Sequence, residues 1–138
     1  YVREKGGKLM DSLDLSDRAK KRLEMTKEIT NTINLVTKKY ISKYDGIWRI
    51  YTFKEDKESI DPERFRVFKT RMLFGKEIPT VHIMDIFFND TNKTITVQII
   101  ALALNLDLDE ATKMSLEKSF AERIKENWKV EVVLKLKR

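Results

Sequence analysis

The chain has no cysteine and a single histidine, His82. Disulfide frameworks, thiolate zinc sites and cysteine nucleophiles are therefore excluded, as are His-rich metal sites and a second imidazole in a proton relay. Glycine and proline are scarce, at four and two residues. No glycine-rich loop able to cradle a phosphate occurs, and none of Ser12, Ser16, Ser42, Ser59, Ser115 and Ser119 sits in a nucleophile elbow. Long apolar runs are missing too. The longest, Ile99-Ile100-Ala101-Leu102-Ala103-Leu104, has the length of a strand and falls far short of the roughly 18 residues of a membrane-spanning helix. The charged first residues do not read as a signal peptide.

Charge, by contrast, is plentiful. The 138 residues hold 28 basic and 22 acidic side chains, a net charge of +6. Residues 1–45 carry +4, residues 46–80 carry +2, and residues 81–138 are neutral. The excess is moderate and lies toward the N-terminus, a weaker footprint than a dedicated nucleic-acid binder shows. The length suits one domain that buries its own core without a metal or disulfide. Residues 1–15 read as a linker or frayed terminus. The first residue is Tyr1 rather than Met, so the expectation is an excised piece with a membrane-embedded portion upstream.

Periodicity predicts one domain over 16–138. A long helix spans 16–44, with Asp14 or Ser16 as its cap, Asp17 in its first turn, and Asp45-Gly46 as its stop. Ala19, Leu23, Ile29, Ile33, Val36, Tyr40 and Tyr44 share its apolar face. Such a helix is about 43 Å long. It either breaks at the poor helix formers Asn31-Thr32 or reaches a partner.

Over 47–138 the elements read βαββαβ. Ile47–Phe53 is aromatic and β-branched, hence a strand. Residues 60–75 are compatible with a strand, but their end signals favour a helix: Asp61 as cap with Ile60 stapling onto Phe65, Pro62 at the first position, Gly75 past the end, and Phe65, Phe68 and Met72 as its apolar stripe. Strands follow at Thr80–Phe88 and Lys93–Leu104, joined by the turn Asn89–Asn92. A helix then opens on the capping box of Asp107 and Glu110, with Leu116, Phe120, Ala121 and Ile124 as its stripe. The alternating Val130, Val132, Leu134 and Leu136 form a last strand. The fold class expected is α+β, a ferredoxin-like sandwich with a four-stranded antiparallel sheet behind a long N-terminal helix.

In that plan Val81–Phe88 is an unguarded edge strand. Its two faces, like those of the following strand, are apolar. This apolar surface needs a cover, from the long N-terminal helix, a second copy of the chain or both, and Met84, Ile86, Phe88, Ile100, Leu102 and Leu104 are the residues expected to support self-association, as a homodimer or higher oligomer.

Candidate chemistry is sparse. Asp107, Asp109 and Glu110 are three carboxylates in four residues, but a helix start explains them without a cation. His82 and Asp85 fall on opposite faces of a regular strand and make no dyad. No catalytic, metal or cofactor site is expected. Lys20, Lys27 and Lys38 share one helical stripe and form the candidate contact of an alternative, nucleic-acid-binding function. A ferredoxin-like RNA module needs stacking aromatics on its first and third strands. The first offers Trp48, Tyr51 and Phe53, but Thr94–Ile99 offers none.

Residues 80–138 resemble the cytoplasmic C-terminal domain of cation-diffusion-facilitator metal transporters. The likeness runs through Thr80-Val81-His82-Ile83, Thr94–Ile99, Leu106-Asp107-Leu108-Asp109-Glu110-Ala111 and Val130–Leu134. It implies a ββαβ core and a dimeric, cytoplasmic role beneath a membrane portion. Thr112 stands where the family commonly has His, and the family's metal-binding histidines have no counterpart, so no metal site is implied. The functional expectation is a non-catalytic, self-associating assembly or regulatory domain, with the cytoplasmic part of a membrane transport protein as its setting.

Overall fold

The computed structural model describes residues 8–9, 15–40, 47–52, 62–100, 110–124 and 127–135. In chain order these form β1 (Lys8–Leu9), α1 (Asp17–Tyr40), β2 (Trp48–Thr52), β3 (Arg64–Leu73), β4 (Lys76–Asn89), β5 (Thr94–Ile100), α2 (Glu110–Arg123) and β6 (Lys129–Lys135). The fold is α+β. Its sheet follows sequence order: β1 to β5 run antiparallel as a meander, and β6 lies parallel to β5. Five strands of ordinary length make up this mixed sheet, with the two-residue β1 added beside β2.

The four-stranded antiparallel ferredoxin-like plan is therefore incorrect, and its error starts at one element. Residues 64–73 are a strand, not a helix. Phe65 and Val67 alternate with Arg64 and Arg66 at a period of two, and Phe65 and Val67 enter the core. The end signals were ambiguous in a physical sense. Gly75 adopts φ 76°, which suits a tight hairpin as well as a helix end. Pro62 supplies a carbonyl to Arg22 Nη1 at 3.1 Å. Ile60 and Asp61 lie outside the described residues.

A strand at this position changes every pairing after it. β4 sits between β3 and β5, so Val81–Phe88 is central rather than an edge. β6 is an edge, and Glu117 Oε2 accepts a hydrogen bond from its Val132 N–H at 2.8 Å. Lys8 and Leu9 pair with Thr52 and Tyr51, so part of the expected linker belongs to the sheet.

Both helices pack on one face of the sheet. Ser16 Oγ accepts from the Ala19 N–H at 3.1 Å and caps α1. Ala19, Leu23, Ile29 and Ile33 of α1 join Leu116 and Phe120 of α2 and the adjoining Ile124 over the sheet residues Phe65, Val67, Met84, Ile86, Val97 and Val132. Ala121, expected in the α2 stripe, is exposed. α1 does not break at Asn31-Thr32. Thr26 and Thr32 hydrogen-bond back to the carbonyls of Arg22 and Glu28, at 2.8 and 2.9 Å, and the packed face outweighs their poor propensity. Its expected end at Tyr44–Gly46 and the cap residues Asp14 and Asp107 lie outside the described residues.

Met84, Ile86, Phe88 and Ile100 are buried within the single chain. Leu102 and Leu104 lie outside the described residues. If α2 closes the core as described, Phe120→Ala should lower unfolding free energy by about 3–5 kcal/mol, measured by urea denaturation. A loss below about 1 kcal/mol, the level of surface substitutions, would place the ring outside the core.

Candidate functional site

Among the described residues, three places combine unusual chemistry with unusual exposure or burial. The first lies on the sheet face away from the helices. Asp85 is 1% exposed there. Its Oδ2 accepts from Arg64 Nη2 at 2.8 Å, and its Oδ1 lies 2.6 Å from His82 Nε2. An ionised carboxylate can only accept, so Nε2 carries the hydrogen. The imidazole stacks on Phe68 with ring centroids 4.7 Å apart, and the Arg64 guanidinium lies over Phe87 at 5.1 Å. Phe68 in turn meets Tyr51 edge-on at 5.7 Å.

Regular strand geometry forbids the His82–Asp85 contact, and the expectation that they face apart is corrected by a bulge. Val67 pairs with Met84, but the next residue, Phe68, pairs with His82. Ile83 is the surplus residue, and it turns His82 onto the face of Asp85. A second slip, at Thr80, separates the pairs Lys69–Val81 and Thr70–Pro79.

Burial alone would raise the Asp85 pKa, but the hydrogen bonds and charge from His82 and Arg64 more than offset it. The carboxyl is held below the usual carboxylate range. Tyr51 is shifted upward, chiefly by burial and secondarily by Glu77, with Arg49 acting in the opposite sense.

The second place is a shallow cavity of about 240 Å³ beside the start of α1, lined by Arg18, Lys21, Arg22, Asp90, Lys93 and Trp128 among others. Arg22 is 1% exposed and forms an ion pair with Asp90, which Arg18 joins at 3.0 Å. Lys93 Nζ lies over the Trp128 ring at 4.6 Å. Arg18 and Arg22 thus fasten α1 to the β4–β5 turn, and Lys93 of that turn meets Trp128, the residue before β6.

The third place is the end of the β3–β4 hairpin. Leu73 and Lys76 pair across a two-residue turn in which Phe74 has φ 51° and Gly75 φ 76°. Two positive φ values in a two-residue hairpin loop favour Asn-Gly, and a bulky aromatic in the left-handed region is an outlier. Phe74 is 96% exposed, Met72 64% and Leu73 42%. Arg71 and Lys76 beside them are also exposed. Glu77 is engaged by Arg49 Nε at 3.0 Å and by Thr70 Oγ1 at 2.8 Å.

Sequence reasoning did not single out this tip. The signal was present in Met72-Leu73-Phe74-Gly75-Lys76, but a helical reading put Met72 into a buried stripe. The expected anion-contacting lysines, Lys20, Lys27 and Lys38, all belong to α1. Lys20 is exposed, Lys27 is half-exposed and 3.5 Å from Glu24, and the Lys38 side chain lies outside the described residues. Glu110 is exposed beside Lys113, while Asp107 and Asp109 lie outside the described residues. Trp48 and Tyr51 are buried, so they offer no stacking platform. Among the described residues, no cluster of three or more His, Asp or Glu could hold a metal, and no helix is long and apolar enough to cross a membrane.

Comparison of the chain with family models, curated proteins and solved structures finds no match.

Two outcomes follow for stability. Asp85→Asn leaves Arg64 and His82 without their shared anion and should cost about 3 kcal/mol in urea denaturation at neutral pH. Because the folded pKa of Asp85 is depressed, its contribution is complete above about pH 4 and is lost as pH falls below that. The variant should therefore lose part of the wild-type acid dependence, and an unchanged acid profile would contradict the assignment. Phe74→Asn should stabilise the fold by about 1 kcal/mol, because Asn tolerates the left-handed turn; a destabilised variant would show that the ring contributes to folding.

Proposed function

We propose that this chain is a non-catalytic docking domain that works by contact through the tip of the β3–β4 hairpin. The observation that carries the reading is Phe74, a nearly fully exposed aromatic ring in a strained turn between two other exposed apolar residues. A folded monomer gains nothing from that arrangement, and strain retained at an exposed position points to use.

The alternative, chemistry at His82 and Asp85, is weaker on geometry. Both Asp85 oxygens are engaged by neighbours within the fold, and the imidazole is held at its Nε2 edge by Asp85 and stacked on one face by Phe68. That arrangement suits a fixed polar tie across the bulge. A base must reach a substrate proton, and this one already has its Nε2 occupied.

The reading keeps the assembly role expected from the sequence but moves it. Of the residues expected to self-associate, Met84, Ile86, Phe88 and Ile100 belong to the core shared with α1 and α2. The likeness of residues 80–138 to the cytoplasmic domains of cation-diffusion-facilitator transporters fits a domain acting by contact near a membrane, without metal ligands of its own.

A photoreactive benzophenone side chain placed at position 74 in cells making the protein should yield adducts. The same group at Ser115, exposed on α2, should yield few. Equal or absent labelling at position 74 would contradict docking through the tip.

A further inference from the structure

We propose that the hairpin tip inserts into the interfacial layer of an anionic phospholipid bilayer. This rests on the docking reading above and names its partner.

Three features of the tip select that partner. Its apolar surface is not one-sided. Met72 and Leu73 are consecutive strand residues and point to opposite faces of the hairpin, and Phe74 stands at the end, so all three present apolar surface in different directions. A groove or pocket on another protein accepts one face of an element. A fluid apolar layer accepts all of them.

The reach of the tip also fits. Thr70 is the last buried residue of β3, and Arg71, Met72 and Leu73 beyond it are exposed. Three strand residues extend about 10 Å, close to the roughly 5–10 Å to which interfacial segments sink into the headgroup and acyl boundary. Arg71 and Lys76 would then stand at headgroup level. Long basic side chains bury their stems and hold their charge in the polar layer, where each is attracted to anionic lipid. Glu77, the carboxylate next to Lys76 in β4, is paired with Arg49 and so opposes them little.

Other occupants fit less well. A symmetric contact with a second copy would set Arg71 and Lys76 against their own counterparts. A nucleic-acid wedge inserts an apolar side chain between two base steps, whereas this tip carries three bulky side chains in diverging directions.

Vesicle flotation tests the proposal. The full chain should float with phosphatidylcholine vesicles containing about a third phosphatidylglycerol, and much less with phosphatidylcholine alone or at high salt. Phe74→Asn should reduce partitioning about tenfold or more through loss of one ring's burial. It remains folded by the expectation above, and circular dichroism checks this. Arg71→Gln and Lys76→Gln should each cost about fivefold on the anionic vesicles and little on neutral ones.

Failure of the wild type to float, or equal flotation of Phe74→Asn, overturns the proposal. A dimer in sedimentation, or a complex with duplex DNA, that Phe74→Asn abolishes without any flotation overturns it in favour of that partner. Adducts at position 74 without flotation overturn the lipid assignment and leave docking through the tip standing. Absence of both overturns the two together.

Discussion

β4 carries two more residues than β3 over their shared ladder, and the surplus at Ile83 and Thr80 governs most of what distinguishes this molecule. A bulge bends its strand and re-aims the side chains beyond it. At Ile83 it sends His82 to the face of Asp85, while Met84 and Ile86 remain in the helix-covered core. At Thr80 it shifts the ladder again before the exposed end of the hairpin. The polar tie is a product of this irregular strand, and the apolar tip stands at the end of the same hairpin. The tie holds the bulged region through Arg64 and His82 on a buried carboxylate, and the tip lies beyond the second slip.

The opposite face shows how a highly charged chain still builds a single core. α1 and α2 lie on the same side, and the parallel β6 lets α2 return over the sheet. α1 presents Arg22, Thr26 and Thr30 as well as aliphatic residues inward. Each of the first two has an acceptor within the fold: Arg22 reaches Asp90 and the Pro62 carbonyl, and Thr26 returns to the backbone of its own helix. Buried polar groups are tolerable on these terms. They also fix where the helix sits, because Arg22 can reach both Pro62 and Asp90 from only one position along the sheet.

Much of this was legible in the residues. α1, the β4–β5 hairpin, α2 and the alternating β6 follow from apolar spacing, and Ser16 was visible as a cap. The fold class was legible as α+β. Residues 60–75 were not, because Phe65, Phe68 and Met72 satisfy a helical period while Phe65 and Val67 satisfy a strand period. Pro62 and Gly75 are compatible with both. Only the pairing partners on either side decide between the two, and those are non-local. The bulge at Ile83 has no local signature either, so a regular-strand argument separated His82 from Asp85. The tip was hidden by the same helical reading that buried Met72.

An exposed apolar hairpin end on a self-contained core describes a domain that has finished folding and still has surface to bury. Arg71 and Lys76 are exposed beside it. Because the chain lacks cysteine, a nitroxide can be attached at one chosen site. Spin labels at Phe74→Cys and Ser115→Cys, read by accessibility to oxygen and to a water-soluble nickel chelate, report directly where each position lies. On adding anionic vesicles, the label at position 74 should gain oxygen contact and lose nickel contact, while the label at position 115 stays in water. A label at position 74 that remains as accessible to nickel as the one at position 115 would contradict the account.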